Sequence, residues 1–238
     1  MNQLLHQRYP DYEAMSNATA NIMAEALRQN PKLTLCMASG HTPSRTCELF
    51  VSIIKEDKID TQKMRFIGLD EWVGLSPDNT GSCQYFFMEK LIKPLGLEPE
   101  QVFLFDALAA DLNMECLKMD ALIQAHGIDL MVVGIGINGH IGFNEPGTPV
   151  DINCHVASLE PSTVQVGQKY FAESTLLGKG ITVGLGQLMR AKKLILIANG
   201  AHKKDVVQQA RFGPVDPMFP ASIIQIHEHV MVITDSLT

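Results

Sequence analysis

The chain has 238 residues, 46% of them hydrophobic and 19% charged, proportions that fit a folded globular domain and exclude a disordered one. Its net charge of −7 excludes general binding to the nucleic-acid phosphate backbone, which needs a basic face, but leaves room for a small anion in a local basic pocket. Its five cysteines form no C-x-x-C pair for zinc or dithiol chemistry and suit reduced thiols in a cytoplasmic protein, and no window reaches the roughly 18 apolar residues of a membrane span.

From the N-terminus, which reads as neither signal peptide nor anchor, Met15, Ala18, Ile22, Met23, Ala26 and Leu27 recur at helical spacing. They predict an amphipathic helix over about 12–29, with the methionines as core filler. Residues 33–38 read as a buried strand that runs directly into Ser39-Gly-His-Thr-Pro43. Here Gly40 supplies the turn, Thr42 suits an N-cap and Pro43 the first helical position, so a helix is expected to about residue 57. Free N–H groups and the positive end of the helix dipole would converge on Ser39, Gly40, His41 and Thr42, which suits phosphate; an ordinary strand–helix turn explains the segment equally well.

Residues 64–69 form the next strand and deliver Asp70 and Glu71 at its C-terminal end, one of them expected to be merely solvated. A turn and N-cap over 78–81 precede a helix over 83–95, whose apolar side carries Phe86, Phe87, Leu91 and Ile92. A short strand over 102–105 and a helix over 112–125 lead to the stretch around which the chain is organised.

That stretch is residues 129–147. Leu130 to Val133 are continuously apolar, the pattern of a strand buried on both faces. Gly134, Gly136, Gly139 and Gly142 then let the chain turn sharply where ligands gather in open α/β sheets. The turn presents Asn138, His140, whose imidazole can act as a general acid or base, and Glu145 five residues on. Gly134-Ile-Gly-Ile-Asn-Gly139 matches the dinucleotide fingerprint, but Gly142, Pro146, Gly147 and Pro149 break the helix that must follow it to hold a pyrophosphate, so no NAD site is read here.

Residues 150–178 hold few paired apolar positions and read as a cover or lid, with a short helix over 164–171 that carries Lys169. A strand over 180–185, a short helix over 186–190 and a buried strand over 194–198 follow. The last ends in Asn199-Gly-Ala-His-Lys-Lys204, where lysines at a helix start suggest either a bound anion or plain surface exposure. A closing helix over 220–226 and a strand over 230–234 complete the chain. Strand–helix alternation throughout predicts one α/β domain over 1–238: a three-layer α/β/α sandwich with a mainly parallel, Rossmann-like sheet.

Ser39-Gly-His-Thr-Pro43, Leu69-Asp-Glu-Trp-Val-Gly-Leu75, residues 134–146, Ile181-Thr-Val-Gly-Leu185 and Gly200-Ala-His-Lys203 together resemble the aminosugar-phosphate deaminase/isomerase family, whose best-known member is glucosamine-6-phosphate deaminase. The resemblance implies that Asp70 moves a proton between C2 and C1 of the open-chain sugar, and that His140 opens the ring with Glu145 as its partner. It places the phosphate on Ser39 to Thr42 with Lys203 and Lys169 as cations. The partner it implies is a small aminosugar phosphate, with neither nucleic acid nor membrane, and the reaction requires no metal or organic cofactor, since a carboxylate and an imidazole supply the acid–base steps. A monomer or small homo-oligomer is expected.

Related 6-phosphogluconolactonases share the glycine turn and its His but not Phe143 to Pro146, so the resemblance favours deamination over lactone hydrolysis or a non-catalytic sugar-phosphate sensor. The family commonly has Asp where this chain has Asn138, and Tyr where it has Trp72. Both departures are similar to the galactosamine-6-phosphate branch, whose product is tagatose 6-phosphate; glucosamine 6-phosphate giving fructose 6-phosphate is the alternative. An Asp at 138 would orient the imidazole, whereas Asn offers only its amide oxygen as acceptor. The hexameric enteric-type members that it resembles carry basic allosteric residues in the segment matching His155 to Ser158, where this chain has His-Val-Ala-Ser, so the resemblance implies no activation by N-acetylglucosamine 6-phosphate.

Overall fold

The computed structural model describes residues 4–236 and 238. Its elements begin with β1 (Leu5–Tyr9), α1 (Tyr12–Gln29), β2 (Thr34–Met37), α2 (His41–Glu56), β3 (Arg65–Gly68) and β4 (Asp70–Trp72). There follow α3 (Cys83–Phe87), α4 (Lys93–Leu95), β5 (Val102–Phe103), α5 (Leu112–His126), β6 (Leu130–Val133) and β7 (His155–Ser158). The chain closes with α6 (Pro161–Gly167), β8 (Lys179–Thr182), α7 (Leu185–Arg190), β9 (Leu194–Ala198), α8 (Lys204–Phe212) and β10 (Val230–Asp235).

Seven strands form one sheet in the order β1-β10-β9-β6-β2-β3-β5, with every pairing parallel. Its central strands β2, β6 and β9 are buried along their whole length. Side chains alternate between the two faces: Leu35, Met37, Leu130 and Val132 join one apolar core with α1 and α2, while Cys36, Met131 and Val133 join a second with α5, α7 and α8. Helices thus cover both faces, as the continuous apolar runs require. Local signals start the longer helices: Asp11 accepts the Ala14 N–H at 2.8 Å at the head of α1, and Asp111 accepts those of Asn113 and Met114 at the head of α5.

The three-layer reading holds, with corrections to individual elements. A second, antiparallel sheet β4-β8-β7 branches from the first. Leu69 is the pivot, since its N–H still bonds Met37 in the main sheet while its carbonyl accepts from Val183 beside the second. The strand expected over 180–185 therefore belongs to this small sheet, and the segment 150–178 contributes a strand of its own, β7. β1 gave no apolar signal, because Leu5–Tyr9 is an edge strand whose place is set by its register with β10. The helix over 83–95 is interrupted by a π-helical segment at Met88–Ile92, and the closing helix over 220–226 is a 3₁₀ helix. The short helix of the cover begins at Pro161 and ends at Gly167, earlier than expected, with only a 3₁₀ turn carrying Lys169 beyond it.

Candidate functional site

β2 and β6 are neighbours, but the chain leaves β2 toward β3 and β5 and leaves β6 toward β9 and β10. The loops at their C-terminal ends consequently diverge and open a crevice. A cleft of about 290 Å³ lies there, bounded by the turn after β2, the start of β4, the glycine turn after β6, α6 and the turn after β9. All four strand ends expected to build the site meet in it, and Ser39, Gly40, His41, Thr42, Asp70, His140, Lys169 and Lys203 all line it. Asn138 and Glu145 stand behind His140, outside the lining of the cleft, with Glu145 beside His140 and Asn138 bonded to Glu145.

Gly40, not Thr42, is the N-cap of α2, and its φ of 110° is one that a side chain would oppose. A Cβ there would also come within 2.9 Å of the Tyr170 hydroxyl. Thr42 instead donates to Asn199 Oδ1 at 2.7 Å, tying the β2 turn to the β9 turn. Ser39 donates to Cys83 Sγ at 3.0 Å. His41 is exposed and stacks on Tyr12, with ring centroids 5.6 Å apart. In the β9 turn the Gly200 N–H donates to both oxygens of Asp235, at 3.1 and 3.0 Å, and Lys203 Nζ donates to the Ile135 carbonyl at 2.5 Å. Burial, and then the charge of Lys169, push the Lys203 ammonium down to about 8. Two cations that disfavour each other beside a helix-capping turn are what an anion would relieve.

On the opposite wall, the His140 ring packs against Gly136 so closely that a Cβ on residue 136 would lie 2.4 Å from Nε2. His140 Nδ1 stands 3.1 Å from Thr163 Oγ1 and 3.4 Å from Glu145 Oε2, so Nε2 is the ring nitrogen without a protein hydrogen bond among the described residues. Glu145 is 5% exposed. Burial raises its pKa, but hydrogen bonds and charge from His140, with help from Thr163 and Asn138, outweigh this and hold it below the usual carboxylate range. Asn138 does not orient the imidazole ring: its Nδ2 donates to Glu145 Oε2 at 2.8 Å, while its Oδ1 accepts only the backbone N–H of His140 at 3.3 Å. The amide therefore serves as a donor to the carboxylate, a bond an ionised aspartate cannot make.

Asp70 opens β4, half-buried in the wall of the cleft, and burial followed by the charge of Glu71 pushes its carboxyl up to about 7. A carboxylate poised near neutrality can take up and return a proton at working pH. Glu71 corrects the expectation that one of the two acids is solvated. It is 2% exposed and accepts the backbone N–H groups of Trp72, Cys83 and Gln84 at 2.8, 3.0 and 2.7 Å, anchoring the start of α3 to β4. Thr163, Cys83 and Asn199 are the site residues that sequence reasoning missed, and Glu71 was named without its role as anchor. None lies in a motif that points to its contact; only the run of Asp70 and Glu71 hinted that two acids at one strand end take different roles.

An open parallel sheet with an acid–base cleft at its switch point, rimmed by a cationic turn, defines an α/β enzyme acting on a small anionic substrate. Residues 12–233 match the model of the glucosamine-6-phosphate isomerase/6-phosphogluconolactonase family, and the chain belongs to that family. It is 37% identical over 227 residues to a glucosamine-6-phosphate deaminase of Clostridium perfringens, covering 94% of each chain. With a glucosamine-6-phosphate deaminase of Lachnoclostridium phytofermentans it shares 39% identity over 224 residues, covering 93% of this chain and 95% of the relative. Among solved structures, a monomeric glucosamine-6-phosphate deaminase superposes with a TM-score of 0.95 at 30% identity, covering 98% of both chains. The 6-phosphogluconolactonase of Trypanosoma brucei superposes at 0.80 with 18% identity, covering 100% of this chain and 98% of that one, a likeness of fold alone. The chain is an enzyme of the aminosugar-6-phosphate deaminase/isomerase group.

Proposed function

We propose that the chain converts glucosamine 6-phosphate to fructose 6-phosphate and ammonia. The observation that carries this reading is the pairing, in one cleft, of a carboxylate poised near neutrality at Asp70 with the His140–Glu145 couple. The phosphate sits on the Ser39–Thr42 turn with Lys203 and Lys169 as counter-charges, and His140 uses Nε2 to shuttle the proton that opens the pyranose. Asp70 takes the C2 proton of the open-chain aldehyde to give an enolamine and returns it to C1. The imine left at C2 is then hydrolysed by water, giving the ketone and releasing ammonia.

Of the two features that favour galactosamine 6-phosphate, Asn138 stands outside the cleft lining, and Trp72 lines the cleft but is held by aromatic packing. The Asn138 amide is spent on Glu145, and Trp72, 5% exposed, packs on Phe143 with ring centroids 4.6 Å apart. Curated relatives at 37% and 39% identity are named for the glucosamine ester, which further supports the change of substrate. Ammonia release from both esters in parallel tests the reading. Faster turnover of glucosamine 6-phosphate is expected; preference for the galactosamine ester would overturn the substrate and leave the mechanism standing.

Two further outcomes follow from the site. Lys203 is a cation only below about 8, so KM for the phosphate ester is expected to climb as pH passes through that value, with kcat moving less. A KM flat between roughly pH 7 and 9 would remove Lys203 from the phosphate site. Asn138→Asp would place a second carboxylate at 2.8 Å from Glu145 and add negative charge beside His140. The variant is expected to stay active with kcat/KM lowered several-fold, because the added carboxylate repels the Glu145 partner of His140; a kcat/KM equal to that of wild type would show that the amide–carboxylate bond contributes nothing.

A further inference from the structure

Cys83 is 4% exposed and lies directly after Ser82, the N-cap of α3, at the point where the Glu71 carboxylate grips that helix. Its backbone is held by the bond from its N–H to Glu71 Oε1 at 3.0 Å, which aims the side chain at the cleft. Sγ stands 3.7 Å from Asp70 Oδ1 on one side and accepts from Ser39 Oγ at 3.0 Å on the other. While Asp70 is ionised, the direction of the chain of bonds is fixed. An ionised carboxylate only accepts, so the thiol proton points at Asp70 and the Ser39 hydroxyl supplies the bond to sulfur. Burial, with Glu71 and Asp70 next, pushes the thiol well above its ordinary range, so it remains an S–H donor while Asp70 titrates.

We propose that Cys83 is a positioning residue for the base: its thiol fixes the Asp70 carboxylate and links it, through Ser39, to the turn that receives the phosphate. This rests on Asp70 acting as the base of the proposed reaction. A thiol is a weak donor, so it orients the carboxylate and favours its ionised form slightly without suppressing its basicity. It offsets in part the burial and the Glu71 charge that raise the Asp70 pKa. The same chain of bonds lets occupancy of the turn reach the base, because a phosphate that recruits the Ser39 hydroxyl withdraws the donor from sulfur.

The test compares wild type with Cys83→Ala and Cys83→Ser in two readouts. In the ligand-free protein, the S–H stretching band that is absent from both variants is followed by infrared spectroscopy. It is expected to shift as pH crosses the Asp70 titration and to lose that shift in Asp70→Asn. With glucosamine 6-phosphate, Cys83→Ala is expected to move the acidic limb of kcat/KM upward by about half a unit and to lower kcat several-fold with KM little changed, and Cys83→Ser to restore the limb. A band indifferent to pH and to Asp70→Asn overturns the proposal, as does an acidic limb unmoved in Cys83→Ala. A responsive band in a protein that deaminates neither ester would overturn the substrate reading instead, with the Cys83–Asp70 bond upheld.

Discussion

Replacing Asp70 with asparagine is expected to lower kcat for ammonia release by about 10²- to 10⁴-fold, the usual contribution of a positioned general base. Asparagine keeps the size of the side chain and its place at the head of β4, but it cannot accept the C2 proton. The contacts of the phosphate turn are made by other elements, so KM is expected to stay within roughly threefold. Exchange of the C2 hydrogen with deuterated solvent is expected to stop along with ammonia release; a variant that kept more than about a tenth of wild-type turnover would exclude Asp70 as the base. The same substitution has a stability signature of opposite sign. Folding raises the Asp70 pKa from 3.8 to about 7, so the ionised carboxylate opposes folding increasingly from about pH 4 to 7 and constantly above that window. Asp70→Asn is accordingly expected to melt at a higher temperature than wild type at pH 8, and at a similar one at pH 4.

The second large effect is expected at Glu71. Its carboxylate satisfies three backbone N–H groups in an almost closed site, and Glu71→Ala leaves all three without their acceptor. Each buried donor stripped of its partner costs about 1–3 kcal/mol, so a loss of at least about 3 kcal/mol is expected. For a chain of this size that corresponds to a fall in Tm of roughly 6–12 °C, measurable by thermal denaturation. Glu71→Gln keeps the shape and one acceptor oxygen and is expected to cost less. By removing the charge that helps to raise the Asp70 pKa, it also moves the acidic limb of the rate profile downward. A melting temperature unchanged in Glu71→Ala would show that water replaces the carboxylate at these N–H groups.

Much of the molecule can be read along the chain because its signals are local. The buried runs of β2, β6 and β9 show no alternation since both faces of the sheet are covered, and that pattern alone calls for a layered α/β fold. Ser39 to Thr42, Asp70, His140 and Lys203 are all found at strand ends of one cleft because strand–turn–helix order and parallel pairing put every such end on the same side of the sheet. What escaped the sequence depends on partners far away in it. β1 is a strand because β10, some 220 residues on, offers it a parallel edge, and β4 leaves the main sheet because β8 offers it an antiparallel one.

The roles of neighbouring residues divide in the same way. Asp70 and Glu71 are adjacent carboxylates that residue type alone does not separate, and only the family resemblance singles out Asp70; the fold buries one among backbone donors and turns the other to the cleft, since successive residues of a strand face opposite ways. Asn138 likewise looks like a weakened partner for the imidazole until its amide is found on Glu145. The sequence by itself determined the layers, the strand ends that build the site and the chemical kinds of group placed there, because hydrophobic period, glycine turns and residue type act over a few positions. Only the tertiary structure decided which carboxylate has its pKa raised toward neutrality in the cleft and which thiol, hydroxyl and amide stand beside the titratable groups, because burial and hydrogen-bond partners are supplied by elements that meet only when the chain folds.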